Sequence, residues 1–123
     1  MSDPGKKLGK QGEALAAAFL ERAGYRIVAR NYRSRSGELD LVAEEKGVVA
    51  FIEVKTRREG AAVGPFEAVT AAKRRQMVKV AMEYLVRQGE GERPARFDVV
   101  AVTLIGNEPR IELMKNAFAL DEG

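Results

Sequence analysis

Apolar and polar positions recur along the chain with three rhythms: helical, alternating and continuous. The helical rhythm comes first. Leu8, Gly12, Leu15, Ala16, Phe19, Leu20 and Ala23 fall on one stripe, which predicts a helix from about Gly5 to Ala23. Gly24 follows as its C-cap, and Lys6, Lys7 and Lys10 occupy the polar face. Three strand-like segments come next. Tyr25 to about Arg33 is rich in β-branched and aromatic residues, and Ser34-Arg35-Ser36-Gly37 reads as a turn. A second strand runs from about Glu38 to Ala43, and Glu44-Glu45-Lys46-Gly47 turns the chain again. The third, Val48 to Lys55, is a nearly continuous apolar run, as expected of a central strand covered on both faces. Short turns between the three predict an antiparallel meander. A loop at 57–65 leads to a second helix, from about Phe66 to Gln88, whose stripe includes Val69, Met77, Val80, Ala81 and Tyr84. A strand from Arg96 to Leu104, a turn at Gly106-Asn107 and a shorter strand from about Arg110 to Met114 complete the pattern.

The order is α-β-β-β-α-β-β, a mixed α/β arrangement with helices packed on a mixed sheet. A helix between the third and fourth strands permits one parallel crossover. The 123 residues contain no repeat and no linker, so one domain is expected over 1–123, with 1–4 and about 115–123 as loose tails. Phe118 and Leu120 are candidates to pin part of the second tail.

Strand periodicity has a chemical consequence. Val49, Phe51, Glu53 and Lys55 share one face of the third strand, so an apolar surface ends in a carboxylate and an ammonium. Such groups are costly in a central strand unless paired or bound to an ion. Pairing through the 44–47 turn brings Asp40 of the second strand close to Glu53. Two neighbouring carboxylates repel, and a divalent cation between them relieves the repulsion. Asp40 and Glu53 are therefore candidate metal ligands, and Lys55 a candidate electrostatic catalyst. The plainer alternative pairs Lys55 with Asp40 and leaves Glu53 solvated at a strand end.

Composition sharpens this reading. The chain has no histidine and no cysteine. That excludes disulfides, Cys/His zinc sites, thiol nucleophiles and histidine acid–base catalysis. A metal here must be a hard, oxygen-binding cation, Mg²⁺ or Mn²⁺. Charge is uneven behind a net of +3: residues 1–35 carry net +5, 36–56 net −3, 57–96 net +4 and 97–123 net −3. An acidic centre between basic segments suits a cation inside and a polyanion around it. No apolar run approaches the ~20 residues of a membrane helix, and the N-terminal alanines sit among charges, so a cytoplasmic protein is expected.

The surrounding motifs add a resemblance. Gly12-Glu13 with its alanine-rich helix, Gly24-Tyr25 and Arg30-Asn31-Tyr32-Arg33 precede Gly37-Glu38-Leu39-Asp40-Leu41-Val42 and Phe51-Ile52-Glu53-Val54-Lys55-Thr56-Arg57. Gly64 through Val69, Lys73, Ala81 to Leu85 and Arg96-Phe97-Asp98-Val99-Val100 follow in the same order. Together they resemble the restriction-endonuclease-like superfamily, with its PD-(D/E)-x-K signature, and more closely the bacterial YraN-type family, similar to Holliday-junction resolvases. Leu39 stands where the superfamily usually has proline. The resemblance implies a restriction-endonuclease-like core and metal-dependent hydrolysis of phosphodiester bonds. It also implies that Glu13 joins Asp40 and Glu53 at the metal, and that the protein works as a symmetric dimer. Without it, Glu13 is equally an ordinary first-turn acid or a partner for Lys10.

Five cations and one amide near these elements are candidate nucleic-acid contacts: Arg33, Arg35, Arg57, Arg58, Lys73 and Gln76, the last two lying near the stripe of the second helix. Lys73 can equally snorkel to solvent. Asp98 beside Arg96 reads as a structural ion pair. The leading expectation is a Mg²⁺- or Mn²⁺-dependent endonuclease acting on DNA more than RNA, on branched or repair intermediates. A non-catalytic nucleic-acid-binding module on the same fold is the second, and an interaction domain without nucleic acid the third.

Overall fold

The computed structural model describes residues 4–61, 64 and 66–118. Helix α1 spans Pro4–Arg22, followed by strands β1 (Arg26–Ser34), β2 (Gly37–Glu45) and β3 (Val48–Arg58). Helix α2 (Ala71–Arg87) then leads to β4 (Ala95–Ile105) and β5 (Glu108–Phe118). The five strands form one sheet in the order β1-β2-β3-β4-β5. Only the central β3–β4 pair is parallel, the two strands being joined through α2. The remaining neighbours are antiparallel. The expected mixed α/β order is thus the observed one.

Each helix covers one face of the sheet. On the α2 side Val42, Val49, Phe51, Met77, Val80, Tyr84 and Phe97 are buried together. On the α1 side Ala16, Ala17, Leu20, Leu41, Ala50, Ile52, Val100 and Val102 are buried together. β3 therefore has apolar neighbours on both faces, which is why its sequence reads as a run and not an alternation. Small residues on α1 and under it bring that helix close to the sheet. Gly12 shows how close: a Cβ added there would lie 1.7 Å from Thr56 Oγ1 of β3. Glycine in a helix interior costs about 0.5–1 kcal/mol relative to alanine, and here the contact requires it.

Several boundaries differ from expectation. β2 runs to Glu45, so the turn expected at 44–47 is only Lys46-Gly47. α2 begins at Ala71, not Phe66, because Thr70 is extended and its hydroxyl caps the helix by accepting from Lys73 N at 3.1 Å. Residues 66–69 form turns instead, closed by Ala68 N to Gly64 O at 3.1 Å. β3 continues to Arg58, so the following loop starts later. β5 is much longer than Arg110–Met114. It follows β4 along its length and ends with Phe118 stacked on Phe97, ring centres 4.6 Å apart. Residues 115–118, expected as loose tail, are therefore strand, and Pro4, expected in the other tail, opens α1. Leu120, the rest of that tail and residues 1–3 lie outside the described residues.

Candidate active site

The β2–β3 ladder runs from Glu45↔Val48 to Leu41↔Ile52 and stops there. One residue further, Asp40 would face Glu53. Instead of extending the ladder, Asp40 Oδ2 accepts from Val54 N at 2.8 Å. A side chain thus replaces a backbone acceptor, satisfies a strand N–H and lets β2 part from β3. This parting is the origin of the site.

Glu53 lies on the α2 face of β3 and is 4% exposed. Its Oε2 is 3.4 Å from Lys55 Nζ and 3.7 Å from Lys73 Nζ. Its Oε1 is buried without a hydrogen-bond partner among the described residues. Burial, the charge of Asp40 and a hydrogen bond shared with Asp40 push the Glu53 carboxyl up to about 8, against the pull of Lys73 and Lys55. Burial and the neighbouring Asp40 thus outweigh the two lysines, which favours the protonated form of Glu53.

Glu13 approaches from α1. It is half-buried, and burial, followed by the charges of Asp40 and Glu38, raises its carboxyl above the usual range. Asn31 of β1, oriented so that donor meets acceptor, gives hydrogen bonds of 3.0 Å to both Glu13 Oε1 and Glu38 Oε1. Asn31 has φ +51°, a left-handed conformation asparagine tolerates better than most residues. Asp40 is therefore coupled to Glu53 on one side and Glu13 on the other. Among the described residues, however, no three acidic side chains gather at metal-ligating distance. The compact core of the site is Asp40 and Glu53 with Lys55 and Lys73.

The other predicted residues are spread around this core. Arg57 shares the Glu53–Lys55 face, half-buried, with its Nε 3.4 Å from Thr103 Oγ1 of β4. Arg58 is exposed at the end of β3. Arg33 is paired with Glu38 at 3.2 Å, its side chain 78% exposed. Arg35 is exposed in the β1–β2 turn. Gln76 packs on Gly37, where an added Cβ would lie 2.5 Å from Nε2. It packs against the β1–β2 turn. Asp98 is fully buried and bonded to Tyr25, Arg96 and Asn116, which makes it structural.

Sequence patterning by itself assigns no site role to Asn31, Glu38, Gly12 or Thr56. A strand-disfavoured asparagine inside a strand, and a glycine inside a helix, were the signals available.

Fold and cluster together define a small mixed α/β protein that keeps its ionisable chemistry where two central strands part. The chain belongs to the uncharacterised protein family UPF0102, whose model matches residues 12–102. That span begins at the Gly12 contact and ends in β4, so it contains every acid and lysine of the cluster. A UPF0102 protein of Geobacter metallireducens is 46% identical over 120 residues, covering 98% of each chain. One from Geobacter sulfurreducens is 50% identical over 116 residues, covering 94% of this chain and 91% of its own. Another, from Symbiobacterium thermophilum, is 50% identical over 119 residues, covering 92% and 97%. Among the described residues no helix is long and apolar enough to cross a membrane.

Proposed function

We propose that this protein is a metal-dependent endonuclease of the restriction-endonuclease-like class, acting on DNA and on branched or repair intermediates in the cytoplasm. The observation that carries the reading is the buried Glu53, one oxygen without a donor, held against Asp40 with two ammonium groups beside it. Building such a site costs stability, which a purely structural pair does not require. The donor set is all oxygen and fits Mg²⁺ or Mn²⁺, held by Asp40 and Glu53 with Glu13 close by. Two carboxylates are enough for Mg²⁺, which commonly completes its shell with water and phosphate oxygens. When bound, the cation supplies Lewis acidity toward a phosphoryl oxygen and makes a coordinated water more acidic.

The chain's own residues do the rest. Asp40 is fixed by the Val54 N–H, so one of its oxygens is already oriented. Lys55 and Lys73 set two positive charges at the buried carboxylate. Were a cation to compensate Glu53, these ammonium groups would be free to hold a phosphate and oppose the charge that grows on it during in-line displacement. Arg57 and Arg58 at the end of β3, and Arg33 and Arg35 on the hairpin, supply cations for flanking phosphates. A symmetric dimer accounts for paired cuts at a junction, since each copy would meet one of two equivalent strands.

The test is Mn²⁺- or Mg²⁺-dependent nicking of a four-way DNA junction. Asp40→Asn and Lys55→Ala are expected to lower the rate at least a hundredfold. Full activity in both variants would refute the reading. One observation favours a second reading, a nucleic-acid-binding module without catalysis: Lys55 and Lys73 both pair with Glu53, as an ordinary ion-pair cluster would. That reading predicts salt-sensitive DNA binding and no heat of Mn²⁺ binding by calorimetry.

A further inference from the structure

A groove of about 720 Å³ lies between β1 and α2, outside the acidic cluster. Its apolar floor consists of Tyr32, Met82 and Val86. Met82 is 50% exposed and Val86 72%, on the same side of α2 one turn apart, beside the buried stripe of Met77, Val80, Ala81 and Tyr84. Nothing among the described residues covers them. Arg33 and Arg35 rise on the hairpin bank, and Arg87 on the helix bank. Glu83 also lines the groove. Its two oxygens accept from the Ser34 and Ser36 hydroxyls at 2.6 and 2.8 Å. Those hydroxyls, with Arg35 and Arg87 nearby, hold its carboxyl below the usual range.

One end of the groove adjoins the cluster. Arg33 is ion-paired with Glu38, and Glu38 shares the Asn31 amide with Glu13. Arg33 thus links the groove to the rim acids Glu38 and Glu13. A second copy adding a strand to β1 is a poor occupant. That edge is interrupted by a register shift between Ile27 and Ala29 and by the left-handed Asn31, the devices that discourage edge pairing. Duplex nucleic acid matches the arginines but offers the floor nothing, because its base faces are stacked inside. An unpaired strand offers both: phosphates for the arginines and flat apolar bases for Tyr32, Met82 and Val86.

We propose that this groove binds an unpaired nucleic-acid strand, and that the substrate is nucleic acid with a single-stranded arm. That the strand is substrate rests on the endonuclease reading above. The test is fluorescence anisotropy in EDTA with one labelled oligonucleotide of about 20 nucleotides, offered single-stranded or as a duplex. The protein is expected to prefer the single strand about tenfold. The double substitution Met82→Gln with Val86→Gln is expected to remove that preference, losing about tenfold on the single strand and little on the duplex. Both positions are exposed, and an unchanged melting temperature confirms the fold. Equal affinity for duplex and single strand in the parent protein overturns the proposal. So does unaltered strand binding by the variant, or displacement of the strand by an acidic peptide at lower concentration than by unlabelled oligonucleotide. Nicking in Mn²⁺ is scored separately. Nicking without strand preference overturns the groove and leaves the endonuclease; strand preference without nicking refutes the endonuclease alone.

Discussion

Two buried carboxylates lie on the adjacent central strands of this protein, and they are treated in opposite ways. Asp98 on β4 is 0% exposed, Glu53 on β3 4%. Asp98 receives the Tyr25 hydroxyl at 2.8 Å, Arg96 Nε at 3.0 and 3.1 Å and the Asn116 N–H at 2.9 Å. Arg96 continues to Glu45 at 2.7 Å, where Lys115 closes the network at 2.8 Å. Glu53 has a second carboxylate as its neighbour, two lysines at longer range and one oxygen with no donor. A buried acid whose oxygens are all satisfied stabilises the fold. One left short of donors beside another acid does not, and this is where the proposed cation would bind.

The largest effect expected from this contrast is on Asp98. Asp98→Ala strands Arg96, Tyr25 and the Asn116 N–H in the interior. Breaking a buried charge pair on one side costs about 3–5 kcal/mol. Urea unfolding of the two proteins measures it. A loss below about 1 kcal/mol would mean that the network is replaceable and that full satisfaction is no mark of structure.

Glu53 should behave in the opposite sense. Its folded-state carboxyl titrates near 8 against an ordinary value of 4.5. Between those values the folded protein holds a proton that the unfolded chain has released. Stability is therefore fully present below the unfolded value and falls as pH rises toward 8. Glu53→Gln keeps the shape, removes the charge and can donate to Asp40. It is expected to stabilise the metal-free protein by a few kcal/mol at pH 8.5, with a gap that nearly closes by pH 4.5. For a chain of this length that is a rise in melting temperature of roughly 5 °C or more at the higher pH. A variant less stable than its parent at pH 8.5 would place Glu53 in the same category as Asp98.

Sequence patterning went further for the strands than for the cluster. Alternation put Glu53 and Lys55 on one face of a central strand, and turn length put Asp40 opposite Glu53, because side-chain period and hairpin register are local properties. Arg96-x-Asp98 was legible for the same reason. What patterning could not show is where β2 leaves β3. The Asp40 carboxylate replaces a ladder acceptor there, and that depends on a contact with Val54, fourteen positions away. The closeness of α1 to Thr56 is likewise a matter of how two elements pack. The start of α2 moved because a single cap at Thr70 outweighed the apolar character of Phe66 and Val69. Met82 and Val86 lie outside the buried stripe of α2, so helical periodicity assigns them no role.

The smallest expected change in stability tests the acids at the rim. Asn31 donates to Glu13 and Glu38 together, a neutral fork between two groups that repel one another. It is exposed and left-handed, so Asn31→Gly keeps the backbone conformation while removing the amide. Stability should change by less than about 1 kcal/mol, since two hydrogen bonds are lost at a solvated position. If Glu13 assists Asp40 and Glu53 in holding a cation, loss of the group that orients it should weaken Mn²⁺ binding about tenfold. Calorimetric titration with Mn²⁺ reads this directly, and Asn31→Asp separates orientation from charge. An added carboxylate that tightens metal binding while Gly weakens it places Glu13 and Glu38 within the electrostatic reach of the cation. Unchanged affinity in both variants would confine the metal site to Asp40 and Glu53, with the α1 acid left as part of the scaffold.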